Sequence, residues 1–171
     1  MSKITFKCLL AKVMTLFAMI LICTSVQAFE WTSWTSEENE PRTCDFDKFQ
    51  SGFGCSGSYC DSVQLECHNP SIGGITNRHW LSQVSEEGGG VRFCPWGEFV
   101  AGVSTSGRYS DNVSLECVDA PGVTWTSCYW TGWKSEESGG RLFFPVGYYG
   151  TGIQCSGSYC DNKRFYVCRT H

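Results

Sequence analysis

Apolar and polar residues alternate along two segments of the chain, residues 63–67 (VQLEC) and 113–117 (VSLEC). Alternation with a period of two turns one face of an extended segment inward and the other outward, so both segments predict half-buried β-strands. The apolar run at 99–103 predicts a further strand, and glycine-rich turns such as 88–90 separate these segments. We find no convincing helical period, so the pattern predicts an all-β fold.

The same pattern occurs three times with a period of about 50 residues. Residues 55–61 (CSGSYCD) return unchanged at 155–161, and residues 105–111 (TSGRYSD) lie midway between them. A Ser-Glu-Glu triplet precedes each copy, and a cysteine ends each repeat. A fixed period of this length indicates structural repeats that share a core. We therefore predict three repeats, at about 29–70, 78–120 and 125–171, each with three to four short strands.

The first 28 residues differ from the repeats in composition. Three lysines accompany an apolar run at 13–22, and small residues at 26–28 resemble a cleavage motif. These features predict a secretory signal peptide at 1–28 and a mature β domain at 29–171. The apolar run is too short to favour a permanent membrane span. We therefore expect a secreted, extracellular protein, or a periplasmic one if the source is bacterial.

The charge of the mature chain disfavours two kinds of partner. Cleavage would remove three of the 13 Lys and Arg residues and none of the 17 Asp and Glu residues, which leaves a net charge of about −7. Nucleic acid is not expected as a partner, because phosphate binding needs clustered cations. The same sign disfavours electrostatic binding to anionic lipid.

Ten of the twelve cysteines follow residue 28, an even number that predicts disulfides in an exported chain. Zinc is the alternative, but the spacing does not match paired CxxC motifs. The second repeat has Thr105 and Ser110 where the others have cysteine, so two cysteines that are lost together are expected to be partners. In the third repeat Phe144 replaces a further cysteine, which changes the pairing there. The predicted bridges are Cys55–Cys60, Cys155–Cys160, Cys44–Cys67, Cys94–Cys117 and Cys128–Cys168.

A Tyr-x-Asp sequence occurs in each repeat, inside the loop that the first and third repeats close with a short disulfide. Tyrosine can stack on a pyranose ring, while aspartate and backbone N–H groups can bond sugar hydroxyls. We therefore predict a carbohydrate-binding, lectin-like function, with a glycan or glycoprotein surface as the partner. The alternative interpretation is structural: the aspartate caps the turn and the tyrosine packs on the disulfide. The candidate ligand-binding residues are Tyr59, Asp61, Tyr109, Asp111, Tyr159 and Asp161.

Motifs for catalysis are missing from the chain. HExxH, GxSxG and phosphate-binding glycine loops do not occur, and the three histidines have no nucleophile motif beside them. Carboxylates that could form a glycosidase pair recur in every repeat, whereas one active site needs a single pair. We expect no enzymatic activity, no cofactor and no metal. The alternative function is that of a structural coat component or a defensive inhibitor.

Three other sets of residues predict particular contacts or burial. An arginine follows each Ser-Glu-Glu triplet, so a surface ion pair is expected in each repeat; these arginines are Arg42, Arg92 and Arg141. Equivalent tryptophans would belong to the core if they met on a common axis, whereas Trp96 and Trp125 do not recur and are candidates for exposed contacts. Matching positions predict equivalent buried places for Phe49, Phe99 and Tyr149.

Each repeat runs from a tryptophan turn through a Cys-Pro-x-Gly-x-Phe segment (94–99 in the second repeat) to a glycine-containing strand, an aspartate loop and a Leu-x-Cys strand. This order resembles the vitelline membrane outer layer protein 1 family over residues 29–171. The first repeat departs from the motif, because Asp45-Phe46-Asp47 replaces Pro-x-Gly. The anchors of the resemblance are Cys94, Gly102, Asp111, Leu115 and Cys117.

The resemblance implies a β-prism, in which three repeats form three four-stranded sheets around a pseudo-threefold axis. Proteins of this shape, the jacalin-type lectins among them, commonly bind carbohydrate in loops at the ends of the sheets. A β-trefoil is the alternative, because it also has three repeats of about this length with four strands each.

Overall fold

The computed structural model describes residues 29–72, 74–88, 90–138 and 140–171. The predicted signal peptide, residues 1–28, lies outside the described residues. Within the described ranges the chain forms twelve strands, three short 3₁₀ turns and no α-helix, which confirms the predicted all-β class. None of the described segments forms a helix that could cross a lipid bilayer.

Four strands come from each repeat. The first repeat contributes β1 Glu30–Trp31, β2 Arg42–Thr43, β3 Phe49–Ser56 and β4 Ser62–His68. The second contributes β5 Thr76–Trp80, β6 Val91–Phe93, β7 Glu98–Ser106 and β8 Asn112–Asp119. The third contributes β9 Trp125–Trp130, β10 Arg141–Phe143, β11 Tyr148–Ser156 and β12 Asn162–Thr170. The 3₁₀ turns connect the two long strands of each repeat and cover Ser58–Cys60, Arg108–Ser110 and Ser158–Cys160.

The strands form three four-stranded antiparallel sheets, in the orders β1-β4-β3-β10, β2-β7-β8-β5 and β6-β11-β12-β9. Each sheet takes three strands from one repeat and a short edge strand from a neighbouring repeat. The first repeat donates β2 to the second sheet, the second donates β6 to the third, and the third donates β10 back to the first. This cyclic exchange closes the predicted β-prism. Three separate sheets distinguish it from the β-trefoil alternative.

A β-bulge occurs at the same place in each long strand. The pairing of β3 with β4 shifts between Gln50 and Gly52, and the same shift occurs in the other two repeats. Bulges bend a strand and redirect its backbone groups. The extra residue directs its carbonyl to the chain that follows a donated edge strand: Phe144 N donates to Ser51 O, Cys44 N to Ala101 O, and Cys94 N to Thr151 O. The bulges therefore connect neighbouring repeats at the corners of the prism.

The core lies between the three sheets. Phe49, Phe99 and Tyr149 meet at one end, with ring centroids 4.6–6.2 Å apart, and all three are buried. Their equivalent, buried placement is therefore confirmed. The matching tryptophans do not meet on the axis: Trp80 is 40% exposed, and Trp31 packs on Phe143. Rings that start the long strands close this end of the core instead.

Five disulfides occur, at the pairs that comparison of the repeats predicts: Cys44–Cys67, Cys55–Cys60, Cys94–Cys117, Cys128–Cys168 and Cys155–Cys160. Cys44 directly follows β2 of the second sheet, and its partner Cys67 belongs to β4 of the first. This bridge therefore links two sheets at a corner. In the third repeat Phe144 packs on Phe165 at the matching corner, with ring centroids 5.9 Å apart.

Candidate functional site

The loops that carry the Tyr-x-Asp sequences depend on a glycine at their first position. Gly57 and Gly107 have φ angles of 75° and 76°, in the left-handed region that favours glycine. A Cβ atom on Gly57 would lie 2.0 Å from Asp61 Oδ1, and one on Gly107 would lie 1.9 Å from Asp111 Oδ1. These two aspartates therefore lie against the glycine of their own loop, which fits the structural interpretation of Asp61 and Asp111.

The tyrosine in each loop also adopts a left-handed backbone conformation. The φ angles of Tyr59, Tyr109 and Tyr159 are 58°, 56° and 60°. The residue that follows each tyrosine has a positive φ as well. This conformation is unfavourable for a bulky side chain, so the surrounding contacts must hold it.

The three tyrosine rings converge, and we call Tyr59, Tyr109 and Tyr159 the tyrosine cluster. The centroid of Tyr59 lies 5.1 Å from that of Tyr109 and 5.2 Å from that of Tyr159, and the remaining pair is 5.1 Å apart. The rings meet in tilted and edge-to-face geometry, which is favourable for aromatic pairs. Each ring therefore contacts both of the others. The cluster lies at the opposite end of the long strands from the buried Phe49, Phe99 and Tyr149.

Each loop is held by the first glutamate of a Ser-Glu-Glu triplet from another repeat. Tyr59 N donates to Glu136 Oε1 at 3.1 Å, and Tyr159 N donates to Glu86 Oε1 at 2.9 Å. In the second loop the Ser110 hydroxyl donates to Glu37 Oε2 at 3.0 Å. These bonds form a cyclic set, because every repeat provides a carboxylate to the next. The triplets thus support the candidate site.

The expectation of an ion pair between each triplet and the following arginine is wrong. Arg141 lies over the ring of Trp31, 4.3 Å from its centroid, and Arg92 Nη2 donates to the Gln83 carbonyl at 3.1 Å. Among the described residues, the ion pairs join Lys48 to Glu30 and Asp45, Arg78 to Glu116, and His79 to Glu98. The first glutamate of each triplet bonds to another repeat instead.

Arg108 covers part of the tyrosine cluster. Its guanidinium carbon lies 4.9 Å from the Tyr109 centroid and 5.9 Å from the Tyr159 centroid, within range of a cation–π interaction. The other two loops have Ser58 and Ser158 at this position. The three loops therefore present different side chains to a ligand. Tyr59 has an exposed fraction of 39%, and among the described contacts no cation lies over its ring.

Lys163, which belongs to no predicted site, lies below the tyrosine cluster with no exposed surface. Its Nζ donates to the carbonyls of Cys160 at 2.7 Å and Cys60 at 3.4 Å, the residues that follow Tyr159 and Tyr59. Burial lowers the pKa of Lys163 to about 8, although nearby carboxylates oppose this shift. Comparison of the repeats could have identified this residue as unusual, because valine occupies the matching positions 63 and 113.

The third aspartate, Asp161, differs from the other two. Burial and a hydrogen bond with Glu136 raise the pKa of Asp161 to about 6, and the same bond lowers the pKa of Glu136. Asp161 Oδ1 and Glu136 Oε2 have no other hydrogen-bond partner among the described residues, so a proton shared between them would satisfy both oxygens.

The tryptophans expected at exposed contacts lie away from the tyrosine cluster. Trp96 is 75% exposed, as expected, and its ring centroid lies 4.9 Å from that of Trp125. The expected exposure of Trp125 is wrong, because its half-buried ring packs on the buried Phe99. Within the described ranges no three His, Cys, Asp or Glu side chains are arranged to hold a metal ion. The family models, curated proteins and solved structures with which the chain was compared include no match to it.

Proposed function

We propose that this chain is a secreted, non-catalytic carbohydrate-binding protein and that the tyrosine cluster is its binding surface. The observation that carries the proposal is the left-handed backbone of all three tyrosines. Such a conformation costs on the order of 1–3 kcal/mol for a residue other than glycine. Glycine or asparagine would relieve that cost in each loop, so the phenol side chains supply something that the turn itself does not need.

The chemistry of the cluster suits a sugar. Three aromatic rings offer apolar surface to the C–H face of a pyranose, and the phenol hydroxyls can donate and accept hydrogen bonds. The loops are also held in place by the carboxylates of Glu86 and Glu136 and by the short disulfides. A surface that is ordered before binding loses less conformational entropy when a ligand arrives.

Two other features support this assignment. Five disulfides suit an oxidising compartment, and the composition of residues 1–28 suits an exported precursor. We also propose membership of the vitelline membrane outer layer protein 1 family, on the repeat length and anchors given above. N-terminal sequencing of the protein from culture medium would test secretion, and we expect the mature chain to begin at Phe29.

A glycan array with the purified mature protein tests the proposed function. We expect binding to one sugar class, and no binding by the same protein after its disulfides have been reduced and alkylated. The absence of binding to any glycan by the folded protein would contradict the proposal.

A structural or inhibitory function is the second candidate, and exposed apolar residues favour it. Phe46, Trp96 and Val146 occupy matching turns at the end opposite the tyrosine cluster, and they are 71%, 75% and 85% exposed. Exposed apolar side chains commonly contact other proteins. Inhibition of a secreted hydrolase by the protein, lost in a Phe46→Ser, Trp96→Ser variant, would support this candidate.

A further inference from the structure

A cleft of about 140 Å³ lies at one corner of the prism. It forms where β1, at the edge of the first sheet, meets β2, the edge strand donated to the second sheet. Lys48 donates to both acidic side chains of the cleft and holds them in place. The side chains that matter for its chemistry are Glu30, Trp31, Ser33, Arg42, Thr43 and Asp45.

The first repeat differs from the other two at this corner. Thr43 of the donated edge strand pairs with Gly102. At the two matching positions the donated strands have phenylalanine: Phe93 pairs with Gly152, and Phe143 pairs with Gly52. Asp45 likewise replaces a proline that the other repeats have at the matching position. The fold does not require these polar residues, because the other two corners are built with phenylalanine and proline. The differences therefore point to a role outside folding.

The electrostatics of the cleft select a neutral ligand. Glu30 and Asp45 contribute two negative charges, and Lys48 and Arg42 contribute two positive charges, so the charges balance. Arg42 lines the cleft, and its guanidinium can donate hydrogen bonds to a hydroxyl group of a ligand.

The size of the cleft limits the ligand further. Pockets for drug-sized ligands usually enclose about 300–1,000 Å³, so a cleft of about 140 Å³ accommodates a single small ring. Ser33 and Thr43 offer hydroxyl groups, while Glu30 and Asp45 offer carboxylate oxygens that can accept hydrogen bonds from a sugar. We infer that this cleft binds one neutral pyranose residue, such as the terminal sugar of a glycan, as a site separate from the tyrosine cluster. This inference rests on the proposed carbohydrate-binding function.

Nuclear magnetic resonance titration with methyl glycosides of glucose, galactose, mannose, fucose and N-acetylglucosamine tests the inference. We expect at least one of these glycosides to shift the backbone N–H signals of Trp31 and Ser33, which line the cleft, in a saturable manner. Two variants use residues from the other repeats, which keeps the fold: Arg42→Leu matches Leu142, and Thr43→Phe matches Phe93 and Phe143. Each should weaken binding of that glycoside by about tenfold or more, and well-dispersed amide spectra would show that the variants fold.

The outcomes separate this inference from the proposed function. No shift of Trp31 with any of the five glycosides, or a shift that persists unchanged in both variants, would overturn the inference. If array binding then survives Arg42→Leu but is lost when the tyrosine cluster is altered, the proposed function stands without the cleft. Shifts at Trp31 that are lost in either folded variant would support the cleft, whatever the cluster binds.

Discussion

Glu86 of the second repeat accepts a hydrogen bond from the backbone N–H of Tyr159 in the third repeat, across 2.9 Å. Its second carboxylate oxygen accepts from Cys160 N at 3.2 Å. Two N–H groups of a left-handed turn are thereby satisfied by one side chain from 73 and 74 residues away. The bonding explains how the loop retains a conformation that tyrosine does not favour by itself.

Replacement of Glu86 by alanine should destabilise the protein by about 1–3 kcal/mol, because two buried or half-buried N–H groups lose a charged acceptor. Urea unfolding at neutral pH would measure the change in the free energy of unfolding. Glu87→Ala is the matched control, since Glu87 is exposed and surface substitutions usually change stability by less than about 0.5 kcal/mol. Equal effects of the two substitutions would show that Glu86 does not hold the loop.

Lys163→Val should stabilise the protein at pH 6 by about 1–2 kcal/mol. Burial lowers the pKa of Lys163 to about 8, against about 10.4 in an unfolded chain, so the buried charge costs roughly 3 kcal/mol below pH 8. Loss of the two hydrogen bonds to Cys160 and Cys60 offsets part of this gain. Valine fits the site because it occupies the matching positions in the other repeats.

The same variant should change how stability depends on pH. Between about pH 8 and pH 10 the unfolded chain binds the Lys163 proton more strongly than the folded one, so the contribution of Lys163 to stability rises with pH there. Four carboxylates face this ammonium and oppose the shift: Asp161, Glu136, Asp61 and Glu86. This rise in stability with pH should disappear in Lys163→Val and persist in Lys134→Val. The second variant is the control, because valine is the residue at the matching position of the second repeat. A rise that survives in Lys163→Val would assign it to another group.

The two kinds of disulfide should differ in their effect on stability. Cys94–Cys117 spans 23 residues and Cys55–Cys60 spans five, so loop-closure entropy predicts losses of about 3.5 and about 2 kcal/mol on removal. Cys55→Thr, Cys60→Ser copies the second repeat, which forms the same loop without a bridge. Calorimetry of this variant and of Cys94→Ala, Cys117→Ala would compare them. A larger loss from the short bridge would contradict the entropic explanation.

Glycan binding, where the array detects it, should be lost in a Tyr59→Ala, Tyr159→Ala variant. These two residues supply two of the three rings of the tyrosine cluster, and the Tyr59 ring contacts both of the others. The matched control is Phe46→Ala, Trp96→Ala, which alters exposed aromatic residues at the opposite end. Thermal unfolding would show that both variants are folded. Undiminished binding in the folded tyrosine variant would place the site elsewhere, with the cleft beside Trp31 as the next candidate.

Local information in the sequence determined the all-β class, the threefold repeat and the disulfide pairs. Alternation at residues 63–67 and 113–117 reports burial of one strand face, because successive side chains point to opposite faces. The joint replacement of two cysteines by Thr105 and Ser110 indicates a bond between them in the other repeats. Such signals lie within one repeat or in the comparison of repeats, so they need no knowledge of the folded chain.

The contacts between repeats follow from the tertiary structure and have no signal in the sequence. The donation of β2, β6 and β10 to neighbouring sheets depends on which sheet edges lie side by side, and short strands carry little pattern of their own. The tyrosine cluster and the hydrogen bond from Tyr159 to Glu86 join residues far apart in the chain, and no local preference brings them together. In the sequence Lys163 is likewise an ordinary charged residue. Its burial results from the packing of the three sheets around it, which excludes water from its side chain.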